Sequence, residues 1–186
     1  DAVTKHIIGL TYSQSFFDGK MQNIFFAKDY VNHPNIRQTD QSTVTGSDKV
    51  QGSTTKNYFG YGTGLRYMFF DPLAVKVSYE HSVRLPIARE LLGNGTTIYA
   101  NVALKPEKSN NVNLALFGTW HPAGRHTIYY EANGFLRYVD NYIQTSVIEK
   151  EGMMQFVNDP AVHIKGVEGE IRYDWDGRLQ LMANVS

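Results

Sequence analysis

Charged residues and prolines recur at close spacing near the middle of the chain. Arg84 and Pro86 lie two positions apart, Glu90 follows, and Lys105-Pro106-Glu107 comes shortly after. Arginine and lysine form strong ion pairs with carboxylates, while proline fixes φ and removes a backbone donor. Two interpretations are open: these charges contact a ligand, or they form ion pairs that brace a loop. The brace is favoured because direct ligand contacts are few in any site.

Other patterns with chemical potential are weak. Gly60-Tyr-Gly62-Thr-Gly64 is similar to a phosphate-binding loop, but it falls within a predicted strand and not between a strand and a helix. The six histidines show no metal-ligand spacing, and the absence of cysteine excludes disulfides, thiolate zinc sites and cysteine nucleophiles. The sequence therefore predicts no catalytic residues, no metal site and no cofactor, and the protein is not expected to be an enzyme.

Composition excludes further classes of protein. The formal net charge is zero, with 18 basic and 18 acidic residues among 186, so no nucleic-acid partner is expected. Hydrophobic residues make up 42% and charged residues 19%, which excludes a disordered chain. No stretch reaches the roughly 18–20 apolar residues of a membrane helix. The chain stops within an apolar alternation at 179–186, which indicates a segment of a longer protein.

Apolar and polar residues alternate with period two along most of the chain, which predicts half-buried strands. In one predicted hairpin the odd positions of 59–69 and 73–81 are apolar, and Asp71-Pro72 forms the turn. Three further hairpins follow the same form and give about eight strands. Their predicted apolar sets include Ile8, Leu10 and Tyr12; Ile24, Phe26 and Tyr30; Val112, Leu114, Leu116 and Trp120; Ile128, Tyr130 and Leu136; Val167, Ile171, Tyr173 and Trp175; and Leu179, Leu181 and Val185.

The predicted connections alternate between short and long. Short turns are expected at 18–20, 71–72, 122–125 and 176–178, and long segments at 32–55, 86–108 and 147–160. Aromatic residues fall near strand ends: Phe69, Phe70, Trp120, Tyr138, Tyr142, Tyr173 and Trp175. These features are typical of an outer-membrane barrel with its aromatic girdles. We therefore predict an all-β fold, an antiparallel up-and-down meander of about eight strands forming part of a transmembrane β-barrel. A soluble β-sandwich, whose strands are usually shorter, is the alternative.

Three sequence elements occur in an order that is typical of a known family. The first is Arg84-x-Pro86 with Glu90-Leu91, and the second runs from Asn101 through Leu104-Lys105-Pro106-Glu107 to Ser109. The third runs from Asn158 through Gly166-Val167-Glu168 to Glu170. Over roughly residues 58–186 the chain resembles the β-barrel of TonB-dependent outer-membrane receptors. Val83, Val102, Asn113 and Ala115 depart from the family pattern.

The resemblance implies that residues 1–186 are part of a receptor barrel, without its plug domain and terminal strands. The whole protein would import a scarce nutrient, such as a siderophore, haem, cobalamin or a glycan, across the bacterial outer membrane. Its partners would be the plug domain of the same chain, a TonB-type energy-coupling protein, outer-membrane lipid and the nutrient. The alternatives are an outer-membrane adhesin or barrel enzyme, and a soluble binding module.

The resemblance also names candidate site residues without assigning them a ligand. They are Arg84, Pro86, Glu90, Asn101, Leu104, Lys105, Pro106, Glu107, Ser109, Gly166, Glu168 and Glu170. Gly166 is expected to relieve crowding or to permit a bulge. Charges predicted to face the lumen, among them Arg66, Lys76, Glu168 and Glu170, are expected to contact the plug or simply to line a hydrated lumen.

Period two also fixes which residues share a face. We predict that Tyr61, Leu65, Val75, Val77, Leu114, Leu116, Ile171 and Leu181 share one face of the sheet. Gly62, Arg66, Lys76, Ser78, Asn113, Glu168 and Glu170 should share the other. The glycines are expected to form a smooth inner wall.

Overall fold

A computed structural model describes residues 2–36, 52–53, 55–148 and 152–186. The strands are β1 (Ala2–Phe16), β2 (Met21–Ile36), β3 (Gly52–Ser53), β4 (Lys56–Phe70), β5 (Leu73–Arg84), β6 (Ile98–Tyr99), β7 (Glu107–Ala123), β8 (His126–Ile148), β9 (Met153–Trp175) and β10 (Leu179–Val185). A five-residue helix, α1 (Ala88–Leu92), precedes β6. No helix in the described residues is long and apolar enough to cross a membrane.

The strands form one sheet in the order β1-β2-β4-β5-β7-β8-β9-β10. Each of these strands is antiparallel to its neighbours, while the two-residue strands β3 and β6 pair with β2 and β9. The eight-stranded meander is thereby confirmed, and the described residues contain no second sheet that would make a sandwich. In the described part of the chain β1 and β10 are not paired with each other, so the sheet is open.

The four short turns are confirmed. Residues 17–20, 71–72, 124–125 and 176–178 separate the hairpin strands, and the ladders place all four at one edge of the meander. In the first turn Phe17, Asp18 and Gly19 have positive φ, and in the last turn Asp176 and Gly177 do. In the described ladders the register shifts only at the turn ends of two hairpins, between Met68 and Phe70 and between Trp120 and Ala123. The β8–β9 ladder keeps its register but lacks the Asn141–Pro160 pair, where Asn141 has positive φ.

Two of the predicted long segments differ from the structure. The expected loop at 147–160 is wrong because β8 continues to Ile148 and β9 begins at Met153, giving two strands of 23 residues each. The expected loop at 32–55 is wrong at its start because β2 continues to Ile36; residues 37–51 and 54 lie outside the described residues. The long segment between β5 and β7 is confirmed, and it spans residues 85–106.

Both predicted faces are confirmed by the register. Leu65, Val77 and Leu114 are direct partners across β4, β5 and β7, as are Ser78 and Asn113 on the opposite side. We call the first surface the apolar face and the second the polar face. Apolar-face side chains are solvent-exposed, with exposed fractions of 42% at Val77 and 52% at Ile171. A contiguous apolar surface of this kind requires a covering environment such as lipid.

The predicted apolar set of β2 is wrong. Ile24, Phe26 and Tyr30 lie on the polar face, because Phe26 pairs with Gly62 and Ile24 with Gly64, while Phe25 lies on the apolar face beside Tyr12. A Cβ atom added to Gly62 would lie 2.4 Å from the Phe26 ring. The glycines of β4 therefore do not form a smooth wall; they are the space into which the β2 side chains pack.

Aromatic rings on the apolar face gather near the two ends of the strands. Toward the long loop, Tyr61 stacks on His81 at 5.3 Å, and Tyr138 meets His163 at 4.8 Å. Toward the short turns, Tyr67 meets Phe69 at 4.8 Å, and His126 stacks on Trp175 at 6.3 Å. Six residues of strand separate Tyr61 from Tyr67, or roughly 20 Å, which approaches the roughly 25 Å apolar band of outer-membrane barrels.

The buried residues lie mostly at the long-loop end of the sheet. One cluster contains Tyr30, Val83 and Leu85, with Tyr58 packed against it. A second contains Leu91, Leu104 and Ile143, with Leu92 and Phe156. Val139 of β8, with 1% of its surface exposed, is the most buried large side chain described. Segment 85–106 thus supplies much of the core that the open sheet lacks.

A charge placed on the apolar face should destabilise the membrane-inserted fold. In the full-length parent protein, Val77→Lys is expected to lower the stability of the membrane-inserted fold by about 2–4 kcal/mol, because Val77 lies midway between the aromatic bands. Ser78→Lys, the adjacent polar-face control, should be close to neutral. Urea titration of the lipid-reconstituted protein measures both, and equal effects would contradict the face assignment.

The isolated segment 1–186 should not be a monodisperse soluble monomer. Its sheet has two open edges and an exposed apolar face, which recruit other strands and surfaces. Light scattering without detergent is expected to show oligomers or aggregates, and detergent should disperse them. A stable detergent-free monomer would overturn this expectation.

Candidate functional site

Segment 85–106 begins and ends beside one ion pair. Arg84, the last residue of β5, and Glu107, the first of β7, are direct partners in the sheet. Arg84 Nε donates to Glu107 Oε2 at 2.7 Å, and Arg84 Nη2 donates to Glu107 Oε1 at 2.9 Å. This bidentate geometry is the strongest form of an arginine–carboxylate contact and closes the base of the loop.

The same guanidinium holds the helix inside the loop. Arg84 Nη1 donates to both carboxylate oxygens of Glu90, at 3.0 and 3.2 Å. Glu90 also accepts the backbone N–H of Ile87 at 2.9 Å, which caps the first turn of α1. Glu90 and Glu107 are both buried, so each carboxylate depends on the Arg84 charge.

Glu107 reaches a third strand through the backbone. Its Oε1 accepts the N–H of Ile143 in β8 at 2.8 Å. Burial alone would raise the pKa of Glu107, but the hydrogen bonds from Arg84 and Ile143 outweigh it and hold this pKa below its ordinary value of 4.5. The hydrogen bond to Glu107 raises the pKa of Arg84 in turn. Both residues lie beyond the aromatic band of Tyr61 and His81, outside the membrane-spanning part of the strands.

The second half of the loop is fixed to β9 by two asparagines. Asn158 Oδ1 accepts the N–H of Lys105 at 2.8 Å, while Asn158 Nδ2 donates to the carbonyl of Lys105 at 2.9 Å. Asn101 Nδ2 donates to the carbonyl of Phe156 at 2.8 Å. Since asparagine offers a donor and an acceptor together, it satisfies both backbone groups of one residue.

The loop also adds a short parallel strand to the sheet. Ile98 and Tyr99 of β6 pair with Met154 and Gln155 of β9. One edge of β9 at Met154 pairs with Val147 of β8. β6 therefore pairs with the opposite edge of β9, the edge that faces away from β8. The loop therefore extends from β5 past β8.

The first residues of the loop are held from the opposite side. Lys5 Nζ of β1 donates to the carbonyls of Leu85, at 3.4 Å, and of Pro86. Burial lowers the pKa of Lys5. Contacts with β1 at one end and β9 at the other mean that the loop crosses most of the polar face at this end of the sheet.

The structure brings most of the predicted site residues together. Pro86 and Pro106 flank the loop just outside β5 and β7, as their missing donors and fixed φ predict. Leu104 packs on Leu91 and Ile143, and buried Ser109 contacts Ser82 at 2.8 Å between the hydroxyl oxygens.

Lys105 corrects one prediction. Its side chain is exposed and forms no ion pair among the described residues; only its backbone takes part, through Asn158. The other three predicted charges, Arg84, Glu90 and Glu107, do pair. The arrangement has the geometry of the predicted brace.

Three predicted residues lie elsewhere. Gly166 faces Phe135, and an added Cβ would be 2.5 Å from that ring, so the glycine relieves crowding; the ladder shows no bulge there. Glu168 and Glu170 lie on the polar face of β9, where Glu170 pairs with Arg172.

Several contributors were missed by sequence reasoning. Lys5 and Ile143 lie 81 and 36 positions from Pro86 and Glu107, their partners in the loop. Gln155 contributes too, donating to the carbonyl of Ala100 at 2.9 Å. Lys5 and Gln155 belong to no motif, and the contact of Ile143 uses only its backbone, so no local signal marks them. In the described residues no group of three or more His, Asp or Glu is placed to hold a metal ion.

The sheet has the features of the wall of an outer-membrane β-barrel. It is an antiparallel meander with an exposed apolar face, aromatic bands, short turns at one edge and a long loop folded over the polar face. Residues 11–186 match the family described as TonB dependent receptor-like, beta-barrel. The chain belongs to this family, whose barrels are outer-membrane proteins.

Solved structures support the same fold. The chain is similar to the copper transporter OprC, with a TM-score of 0.75 and 18% identity, covering 98% of this chain and 28% of OprC. It is similar to the Serratia marcescens hemophore receptor HasR, solved with its hemophore HasA and heme, with a TM-score of 0.69 and 17% identity, covering 99% of this chain and 34% of that one. The FrpB iron transporter from Neisseria meningitidis gives a TM-score of 0.60 and 12% identity, with 92% and 24% covered.

These likenesses establish the fold, and the family match establishes the class of protein. The chain spans about a quarter to a third of the length of these solved chains. No curated protein matches the sequence. The family and the three similar structures are receptors and transporters.

Removing the Arg84 charge should release the loop. Arg84→Gln leaves two buried carboxylates without their cation, each keeping only a backbone N–H partner, at a cost of at least about 1–3 kcal/mol. Limited proteolysis of the full-length protein is expected to cut the exposed stretch 94–97 faster than in the wild type. Arg89→Gln, which removes an exposed arginine of α1 that forms no ion pair in the described residues, should leave the cutting rate unchanged. Equal rates in both variants would contradict the brace.

Acid should weaken the same contacts. Because the folded pKa of Glu107 lies below 4.5, its contribution is fully present above that pH and is lost as the pH falls through the lower, folded value. Hydrogen exchange at Ile143, corrected for intrinsic rates, should therefore accelerate only below about pH 4.5. Glu107→Gln should remove this acid-dependent step; an unchanged step in that variant would assign it to another group.

Proposed function

We propose that residues 1–186 form part of the barrel wall of an outer-membrane receptor that imports a scarce nutrient by energy-coupled transport. The observation that carries the proposal is segment 85–106, held across the polar face by Lys5, Arg84 and Asn158. Longer loops of such barrels face the cell exterior. A loop braced in this way gives the outer mouth of the barrel a defined shape. A selective receptor requires such a shape, whereas a channel for passive diffusion does not.

The remainder of the machinery lies in the parent chain and its partners. A plug domain of the same chain would occupy the lumen, and a TonB-type protein would supply energy from the periplasmic side. The polar face supports this arrangement, because its charged and amide side chains suit a hydrated protein surface. The aromatic bands and apolar face support an outer-membrane location.

The transported nutrient is proposed as a metal ion or metal complex, haem included. This ligand class draws on the similar structures, a copper transporter, a hemophore receptor with heme and an iron transporter. Cobalamin and glycans are the alternative ligand classes, and the uptake experiment includes both. The described residues supply the framework of the mouth, and the ligand contacts are assigned to the plug and to other loops of the parent protein.

Uptake by cells carrying the full-length parent protein tests the proposal. Cells are supplied with labelled iron–siderophore, haem, copper, cobalamin or oligosaccharide, with and without a protonophore. One ligand class should enter saturably, and the protonophore should abolish its entry. Arg84→Gln should raise the half-saturating concentration of that ligand, whereas Arg89→Gln should not. Entry of all the small solutes, unaffected by the protonophore, would identify a passive channel and overturn the proposal.

A further inference from the structure

Two cations lie side by side on the polar face without a described counter-ion. Arg66 of β4 and Lys76 of β5 are direct cross-strand partners. Like charges in this position repel one another. Among the described residues neither side chain has a carboxylate within 4 Å, although such pairs do form elsewhere on the same face, for example Lys28–Glu80 at 3.3 Å.

The one carboxylate on β4 and β5, Glu80, is distant from both cations and is already paired. Glu80 lies four residues along β5 from Lys76, roughly 13 Å of strand, and it is paired with Lys28. Arg66 makes only a cation–π contact in the described structure, its guanidinium carbon lying 5.6 Å from the centre of the Phe117 ring. This contact orients the guanidinium and leaves its hydrogen-bond donors available.

The two cations line a groove on the polar face. The groove has a volume of about 570 Å³, and its lining includes Gly64, Ile24 and Phe117 beside Arg66 and Lys76. Ile24 of β2 packs over Gly64, where an added Cβ would lie 3.0 Å from the Ile24 side chain. The rest of the lining is mostly polar and includes Gln22 and Asn23. Two positive charges without a described carboxylate partner, set among hydrogen-bonding side chains, suit an acidic side chain carried on a peptide.

One row across the polar face carries opposite charges at its two ends. Lys76 is linked through Ala115 of β7 and Asn133 of β8 to Glu168 of β9 in one continuous row. Three strand spacings separate Lys76 from Glu168, roughly 14 Å. Beside that end of the row, Glu131 and Glu170 are direct partners. A carboxylate is therefore attracted to Arg66 and Lys76 and repelled by Glu131 and Glu168, while Glu170 is already paired with Arg172.

We propose that an Asp or Glu side chain of the plug domain, in the part of the parent chain outside residues 1–186, docks between Arg66 and Lys76. This inference rests on the proposed function, since that function supplies the plug. This contact then constrains the rotational setting of the plug in the barrel, with its acidic side chain against β4–β5.

Zero-length crosslinking tests the contact in the full-length receptor in its own membrane. A carbodiimide joins a lysine amine to a carboxylate only when the two are in ion-pair contact, and mass spectrometry identifies both residues. Lys76 should give an isopeptide with an Asp or Glu of the plug. Lys76→Arg keeps the charge but lacks the reactive amine, so this adduct should disappear. Lys28 and Glu80 should crosslink in both samples, which makes them the internal positive control.

Two results would overturn the inference. One is an adduct of Lys76 with a carboxylate of residues 1–186, such as Glu131, or with another protein. The other is no adduct of Lys76 when Lys28–Glu80 forms. Protonophore-sensitive uptake, measured in the same cells, reports separately on the proposed function: if uptake persists while the adduct is missing, only the docking site is wrong.

Discussion

The unbroken register of the sheet is the constraint on which the rest of the structure depends. From Tyr61 in β4 to Trp175 in β9, successive ladders keep each residue opposite a partner of the same face, and shifts occur only at two turns. Because side chains alternate with period two, a one-residue slip in any strand would exchange its lipid-facing and lumen-facing sets. The register therefore decides the apolar face, the aromatic bands and the charge rows together.

The register also places the ends of the long loop. β5 and β7 pair from Ala74–Phe117 up to Arg84–Glu107, so the loop leaves and re-enters the sheet at one pair of neighbouring residues. A guanidinium and a carboxylate at that position form a closed base, and Glu90 attaches the helix to the same charge. The sheet alone buries little of its surface, and the core lies where this loop covers Tyr30, Val83 and Ile143.

Local sequence patterns predicted most strands, the short turns and the residues of the ion pairs. They did not predict contacts whose partners are distant in the chain. The pattern Asp71-Pro72 and the odd-position apolar set of β4 predict that hairpin correctly. In β2 the adjacent residues Phe25 and Phe26 fit either face, and only the glycines of β4 decide between them. The stretch 147–160 contains Asn, Asp and Pro and reads locally as a loop, yet pairing along the whole hairpin keeps it extended. The ion pairing of Arg84, Glu90 and Glu107 was predictable from their charges and spacing. The contacts of Lys5 and Ile143 were not, because they span 81 and 36 positions.

The attachment of the loop to β9 has a consequence for the order of assembly. Arg84 and Glu107 can meet as soon as β5 and β7 pair, but Asn101 and Ala100 find their partners 55 positions later in the chain. Contacts that far apart in sequence form late, since the loop-closure entropy must be overcome first. Formation of the Arg84–Glu107 pair at the base of the loop and attachment of the middle of the loop to β9 are thus separate events. Between them the loop is held at its base and through Glu90, while its middle is unattached. This end of the sheet therefore reaches its final shape only when β9 has paired with β8.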